Sequence, residues 1–497
     1  MLELQYLAAP STEEWWRLAG IFVGLLLFIA VGEGVRILFR WPAEFTRKLV
    51  HISVAVLIFF APTIFTVPLP AIILALVFTL INWTAIRLGL FRAIHGTVRQ
   101  TYGTVYYPLA FLILVLIFWY RAPEIISLSM LVLGFGDAAA AIVGQTHRSP
   151  TSYQLTGDVK TLEGSWTMFA VTTLTLMAGI VHFRTVFDAP FLFVFSVAAA
   201  AAMMATAWEA ISSRGLDNLA VPLATAFVLA YYFLPSPLKD VQQYTTGVGL
   251  ALGIAGLSFY GGLLTASGSV ATFILASIIF GIGGWKWTVP VLAFFVLSSL
   301  LSRVGRERKR EFDSVFEKTG RRDHAQVAAN GGVAGIIVLL AYLHGSEEFY
   351  PLYLASIAAV TADTWGTEIG LLSSGRPIEL PSFKPVAPGT NGGVTSIGIV
   401  GAMLGALVIA AVSLLWESNW KLLGLVALSG FMGSIVDTLL GGTLQARYRC
   451  VVCGTIVERK EHHDQPTEFI GGLRWVTNDV VNWACALSGA SIMRWIQ

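Results

Sequence analysis

Apolar residues run almost unbroken along this chain, in stretches of about 17–25 residues, the length an α-helix needs to cross a bilayer. Leu18–Leu38, Ala71–Leu90, Ile125–Val143, Phe191–Ile211, Val394–Trp416 and Val476–Ile492 are examples. Any one run could be a buried helix of a soluble protein, but soluble domains do not string so many together. The pattern predicts an all-α fold, a polytopic transmembrane helical bundle of about 15 spans. The first run follows Glu13 and Glu14, without a basic leader or a small-residue cleavage site, and is expected to be a retained helix.

Polar interruptions organise the runs. The segment Pro235–Tyr244, PSPLKDVQQY, separates two fused units, expected at 1–242 and 243–497, and residues 446–470 form a polar insertion in the second. Lys and Arg gather at Arg47 and Lys48, at Arg87, Arg92 and Arg99, and across Arg303–Arg322, where a helix is expected to continue out of the membrane. The positive-inside rule places those loops in the cytoplasm. An integral, multi-pass protein with cytoplasm-facing sites follows, in the plasma membrane if the cell is bacterial.

Composition sharpens this picture. Of 497 residues 56% are apolar and 12% charged, against about a quarter charged in soluble domains. The net charge of +2 is spread over short loops and not on one stripe, so it gives no argument for nucleic acid, and no nucleic-acid partner is expected. Three cysteines give no disulfide framework, and Cys485, in the last apolar run, reads as a packing residue. Trp15, Trp16, Trp285 and Trp287 read as interfacial anchors, Glu33 and Arg36 as an intrahelical pair.

A carboxylate inside a bilayer span costs several kcal/mol unless it meets a partner, a cavity or a metal, which makes Asp137, Glu209, Asp363, Glu368 and Asp437 candidate functional residues. Both halves follow one order. Gly136-Asp137 begins an alanine-rich helix ending at Gly144, followed by Lys160, Leu162-Glu163-Gly164-Ser165, Glu209 and Asp217-Asn218. Ala362-Asp363 opens a helix ending at Gly370, followed by Lys384, Gly389-Thr390-Asn391-Gly392-Gly393, Asp437 and Asn478-Asp479. Duplication and convergence both explain the parallel. Acids with a lysine and glycine-rich turns suit Mg²⁺ and phosphate together, hence phosphoryl or nucleotidyl transfer. No Gly-Lys pair occurs, which excludes a P-loop. Gly134–Gly136 and Gly281–Gly284 read as close helix packing.

Arg47-Lys48-Leu-Val-His51, the Asp137 helix, Lys160-Thr-Leu-Glu163-Gly164-Ser165 and Glu209 with Gly215-Leu-Asp217-Asn218 resemble the dolichol kinase and phytol kinase group, distant relatives of phosphatidate cytidylyltransferase, over residues 30–235. The resemblance implies a CTP-dependent kinase of a polyisoprenoid alcohol. Asp137, Glu163, Glu209 and Asp217 would hold metal and triphosphate, Lys160 would neutralise phosphate, and Arg47, Lys48, Ser165 and Asn218 would contact it. His51 or Asp137 is the candidate general base for the alcohol.

The second half is similar to the membrane proteins that include phytyl-phosphate kinase, over residues 245–497. Its carriers are Gly320-Arg321-Arg322-Asp323-His324, Asn330-Gly331-Gly332, Ala362-Asp363-Thr364-Trp365-Gly-Thr367-Glu368, Pro388-Gly-Thr390-Asn391-Gly392-Gly393, Gly433-Ser434-Ile-Val-Asp437 and Asn478-Asp479. That resemblance implies a second transfer, onto the prenyl monophosphate. Arg321, Arg322 and Lys384 can supply positive charge, Asp363, Glu368, Asp437 and Asp479 can hold Mg²⁺, and Asn330, Thr390, Asn391 and Asn478 can bind phosphate oxygens.

Cys450-x₂-Cys453-x₈-His462-His463 has the ligand types and spacing of a structural Zn²⁺ site, with Asp464 as an alternative ligand. The expected function is a bifunctional isoprenoid kinase using CTP and Mg²⁺. Its partners are a prenyl alcohol, the prenyl monophosphate, a nucleoside triphosphate and membrane lipid, with a homodimer left open. A CDP-lipid-forming cytidylyltransferase and a secondary transporter with midplane charges are the rival readings.

Overall fold

The computed structural model of the protein describes residues 6, 8–40, 43–88, 101–305, 307, 320–380 and 382–497. Arg92, Arg99 and most of the basic stretch between 306 and 319 lie outside the described residues, as does the side chain of Glu33. The protein is a helical membrane protein: among the described residues nine helices are long and apolar enough to cross a bilayer, accompanied by the shorter apolar helices Gly103–Phe118 and Asp217–Phe233. The sequence pattern gave a higher count because helices such as Tyr350–Gly370 and Asn478–Ile496 carry the polar residues of the sites, which dilute their hydropathy.

The chain divides into two compact units, Met1–Pro235 and Ser236–Gln497. The first contains α1 (Thr12–Phe39), α2 (Ala43–Phe59), α3 (Leu69–Leu88), α4 (Gly103–Phe118), α5 (Pro123–Val132), α6 (Ala138–Thr146), α7 (Leu162–His182), α8 (Phe191–Ile211) and α9 (Asp217–Phe233). A π-helical turn, Leu133–Asp137, joins α5 to α6 without a break. Asp137 therefore lies inside a continuous span and does not open a helix. Gly134 and Gly136 let that turn approach its neighbours: an added Cβ would stand 2.3 Å from Ala55 Cβ on α2 at the first and 2.7 Å from Thr172 Oγ1 on α7 at the second. A short antiparallel hairpin, β1 (Ser152–Gln154) with β2 (Val159–Thr161), leads into α7.

The second unit contains α10 (Val241–Tyr260), α11 (Ala266–Leu301), α12 (His324–His344), α13 (Tyr350–Gly370), α14 (Ser396–Val412), α15 (Trp420–Thr443) and α16 (Asn478–Ile496). Here too the acid lies inside a helix, since Asp363 sits two-thirds of the way along α13. Helix α11 breaks at Gly284, whose φ of 59° only glycine adopts freely. The Gln243 amide repairs the break by donating to the Gly281 and Ile282 carbonyls at 3.2 and 3.1 Å. Trp287 is buried against Tyr350 and Tyr353 and is a core residue, not the interfacial anchor expected, whereas Trp16 and Trp285 are exposed. Cys485 is fully buried in α16.

Helix α13 is the core of this unit, packed by α14, α15 and α16, with Leu354–Ala362 buried. Small residues set its contact with α15: a Cβ on Gly430 would fall 2.5 Å from Ala358 Cβ, and one on Gly433 2.6 Å from Ala359 Cβ and 3.1 Å from the Cys485 carbonyl of α16. Without a hydrophobic force to drive helices together in lipid, such close approach supplies the dispersion contact that holds them. Three short strands, β3 (Ile378–Glu379), β4 (Lys384–Pro385) and β5 (Gly393–Val394), form an antiparallel sheet in the order 4-3-5 before α14. The insertion adds β6 (Arg447–Arg449), β7 (Ile456–Val457), β8 (Glu461–His462), β9 (Gln465–Pro466) and β10 (Glu468–Gly471).

Gly433→Leu is expected to destabilise the protein by about 1–3 kcal/mol or more through overpacking at the meeting of α13, α15 and α16. Thermal unfolding in detergent checks this against Gly424→Ala, where a Cβ meets nothing within 4 Å and the midpoint should not fall.

Candidate active sites

The acids of the first unit are buried against lysines. Lys48 Nζ on α2 lies 2.5 Å from Asp137 Oδ2, and both side chains are less than a tenth exposed. Lys160 stands in β2 opposite Tyr153, one residue before Thr161, the N-cap of α7. Its Nζ donates to Glu209 Oε1 at 2.5 Å and to the Glu209 carbonyl at 2.6 Å, with Asp217 Oδ2 at 3.6 Å. Burial works against the Lys160 charge, but Glu209 and then Asp217 outweigh it and hold its pKa above the ordinary lysine value. Three carboxylates thus surround two ammonium groups. Glu209 Oε2 and Asn218 Oδ1 are buried and take no hydrogen bond among the described residues, so hard acceptor oxygens of the kind Mg²⁺ uses are available.

Other expected residues sit apart from this cluster. Glu163 is on the outer side of the first turn of α7, where its two oxygens both accept the Thr151 amide at 3.0 Å, so it organises the loop instead of joining the buried acids. Ser165 shares a 2.6 Å hydrogen bond with Tyr153 Oη. His51 is buried one turn after Lys48, its ring 4.9 Å from that of Tyr107, and its Nδ1 takes no partner among the described residues. His51, Arg47 and Tyr107 help line a cavity of about 210 Å³ between α1, α2, α3 and α4, whose walls are mostly Ile, Leu, Val, Ala and Phe, with Arg36, Thr46, Asn82 and Thr104 among them. Sequence reading did not find this cavity or Tyr107, because its wall is made of ordinary apolar residues with no distinguishing spacing.

The second unit holds a cavity of about 950 Å³, mostly polar in its lining. Asp363 of α13 and Asp437 of α15 both line it, close enough for each carboxylate to act electrostatically on the other. Among the described residues neither acid is ion-paired, and no donor reaches the buried Asp437 Oδ2. Two neighbouring carboxylates away from bulk water are stabilised by a shared proton or a cation. Around them stand Arg321 and Arg322 before α12, Asn330 on α12, Glu368 on α13, Thr390 and Asn391 in the loop before α14, and Asn478 at the start of α16. The Arg322 guanidinium lies over Phe294 and Phe295, 5.5 and 5.2 Å from their centroids. Burial draws its pKa down while the Glu368 carboxylate draws it up.

Lys384 is exposed in β4 and does not line the cavity, so it is not the counterpart of Lys160 that the similar intervals implied. Asp479, unlike Asn478, is also outside the lining. Gln326, Thr364, Thr367 and Glu458 also line the cavity; the threonines belong to the motif around Asp363 but no role was expected of them, and Glu458 was not anticipated. Thr367, four residues after Asp363, lies on the same helix face one turn on, and that spacing was a usable signal; Thr364, at the next position, and Glu458, in the insertion, offered none.

The insertion brings Cys450, Cys453, His462 and His463 together, with one ligand atom from each within 4.8 Å of the others. A hydrogen bond with Thr455 draws the Cys453 thiol down to about 6.

The two units repeat one local construction. Thr161 and Thr395 are extended N-caps whose hydroxyls accept the amides of Gly164 and Gly398, each at 3.1 Å. The capped glycine packs on the carbonyl three residues after the acid, Ala140 in one unit and Gly366 in the other, and each cap faces the glycine seven residues after the acid, Gly144 or Gly370. A second acid follows near the end of the next helix, Glu209 or Asp437, and the helix after that opens on Asp217-Asn218 or Asn478-Asp479.

Fold and sites define an integral membrane protein with buried acidic clusters at helix-cap loops. Residues 249–490 match the family described as integral membrane protein DUF92, and the chain belongs to that family. It is similar to Protein PGR of Arabidopsis thaliana, 31% identical over 45% of this chain and 85% of the relative. It is also similar to a phytol kinase of Synechocystis, 31% identical over 42% of this chain and 88% of the relative, and to Protein VTE6, chloroplastic, of Arabidopsis thaliana, 22% identical over 44% of this chain and 61% of the relative. No solved structure gives a significant match.

Removing one partner of the buried Lys48–Asp137 pair leaves an uncompensated charge, so Lys48→Met and Asp137→Asn should differ from wild type by several kcal/mol at most, about 3–5 for the charge left alone. The double variant should lose less than the sum of the two. A double-mutant cycle on unfolding in detergent measures that coupling.

Proposed function

We propose that the protein is a bifunctional membrane isoprenoid kinase. The Met1–Pro235 unit converts a prenyl alcohol such as phytol or geranylgeraniol to the monophosphate, and the Ser236–Gln497 unit converts that to the diphosphate, both with CTP and Mg²⁺. The observation that carries the reading is one acidic helix-cap site built twice beside two cavities that differ as the two acceptors differ. The cavity at His51 and Tyr107 is apolar and suits a hydrocarbon tail ending in a hydroxyl. The cavity at Asp363 and Asp437 is polar, within the size of small-molecule sites, and carries Arg321 and Arg322 for polyanions. The match to a phytol kinase and the DUF92 family support this assignment.

In each transfer an acceptor oxygen forms a bond to the γ-phosphorus, the bond to the β–γ bridging oxygen breaks, and CDP leaves. Mg²⁺, when bound, neutralises the triphosphate; Glu209, Asp217 and Asn218 would hold it in the first unit and Asp363 and Asp437 in the second. His51 Nδ1 takes the proton of the prenol hydroxyl, which the second acceptor, already an anion, does not need to lose. Lys48 and Lys160 place positive charge at the first site, Arg321 and Arg322 at the second, and Asn330, Thr390, Asn391 and Asn478 orient phosphate oxygens. In this reading the positive-inside rule puts the basic loops, and with them both sites, on the cytoplasmic side.

Purified protein given phytol, Mg²⁺ and γ-labelled CTP should yield labelled diphosphate. Asp137→Ala should reduce all lipid label by about 10²-fold or more, and Asp363→Ala should accumulate monophosphate. No label in lipid from any of several prenols and nucleotides would contradict the kinase reading, and pyrophosphate release with a CDP-lipid product would replace it with a cytidylyltransferase.

A further inference from the structure

The four ligand atoms in the insertion come from two separate hairpins. Cys450 and Cys453 occupy the turn between β6 and β7, closed by Cys450 N to the Thr455 carbonyl and Gly454 N to the Cys450 carbonyl, both 2.9 Å. Inside that turn the amides of Val452 and Cys453 point at Cys450 Sγ, at 3.3 and 3.5 Å. Amides aimed at a sulfur stabilise a thiolate, the form that ligates metal. His462 and His463 come from the β8–β9 hairpin, where His463 and Asp464 both have φ of 56°. Two consecutive non-glycine residues in the left-handed region are costly, and here they turn both imidazoles toward the cysteines. The Cys453 Sγ to His462 Nδ1 distance is 3.7 Å, and tetrahedral donors on bonds of ~2.0–2.3 Å stand about 3.3–3.8 Å apart. Asp464, the alternative ligand, is not in the group.

The strand β7 ends at Val457, and the next residue, Glu458, is in the link from the cysteine hairpin to the histidine hairpin. Glu458 lines the Asp363–Asp437 cavity and accepts a hydrogen bond from Gln445 Nε2 at 2.9 Å. Behind it Ala446, Tyr448, Val457 and Phe469 make a core too small to hold five short strands by burial alone.

We propose that Cys450, Cys453, His462 and His463 bind one Zn²⁺, and that this ion fixes the two hairpins to each other and so positions Glu458 at the rim of the acidic cavity. Two thiolates and two imidazoles select Zn²⁺ over the Mg²⁺ suited to the all-oxygen cluster. The ion is structural, with four protein ligands and no open position. Because zinc binding is folding energy for a domain this small, its loss unfolds the flap and leaves the helical bundle in place. The inference stands on the insertion alone and does not require the kinase reading.

The experiment is metal analysis of the purified full chain by mass spectrometry, joined to amide hydrogen exchange over residues 447–471. Wild type should carry one zinc per chain, and so should Cys485→Ser and Glu458→Gln. Cys450→Ser and His462→Ala should carry none, with exchange in the flap faster by about tenfold or more and exchange in α13 and α15 unchanged. Cys453→His, which keeps a ligand, should retain zinc. Wild type without zinc after expression in zinc-supplemented medium, a Cys450–Cys453 disulfide in the purified protein, or flap protection unchanged by Cys450→Ser would overturn the proposal. None of these readouts depends on lipid phosphorylation.

Discussion

Carboxylates set within membrane-spanning helices govern this structure, because each needs a compensating charge or a polar cavity. The two units meet that demand differently. In the first, lysines from two directions reach the acids: Lys48 from α2 and Lys160 from the hairpin before α7. In the second, Asp363 and Asp437 face each other across the contact of α13 and α15, with arginines at the cavity but no ion pair to either acid among the described residues. That contact exists only because Gly430 and Gly433 allow the helices together, one to two turns from Asp437. Packing and chemistry are therefore set by the same face of α15.

The shared construction around Thr161 and Thr395 explains how each first acid is placed. An extended residue caps a helix, the capped glycine lies on the backbone of the acid-bearing helix, and the distance from acid to contact is the same number of residues in both units. Caps and backbone contacts agree in segments whose side chains differ, so one local solution places the first acid in both units. The divergence then lies in what surrounds the site: an apolar cavity in one unit, a polar one in the other.

Much of this was legible in the sequence. Hydrophobic run length revealed the membrane fold, the cost of intramembrane charge singled out Asp137, Glu209, Asp363 and Asp437, and ligand spacing gathered Cys450, Cys453, His462 and His463. What failed had a physical reason. Interval counting matched Lys384 to Lys160, but the sheet before α14 carries Lys384 away from the acids, whereas β2 runs directly into the cap. Glu163 looked like a site residue by motif, yet its place at the helix start turns it to the loop. Trp287 had the composition of an interfacial anchor, and only three-dimensional packing shows it between two tyrosines. The cavities and Glu458 depend on several elements meeting, which no local pattern records.

The account rests most heavily on the Asp363–Asp437 pair as a cation site serving the nucleotide. Electron paramagnetic resonance of Mn²⁺, used in place of Mg²⁺ with CTP present, counts such ions directly in wild type, Asp363→Asn and Asp437→Asn. The account predicts that either substitution removes one tightly bound ion per chain. An unchanged Mn²⁺ count in both variants would contradict it, and the two carboxylates would then be joined by a proton alone.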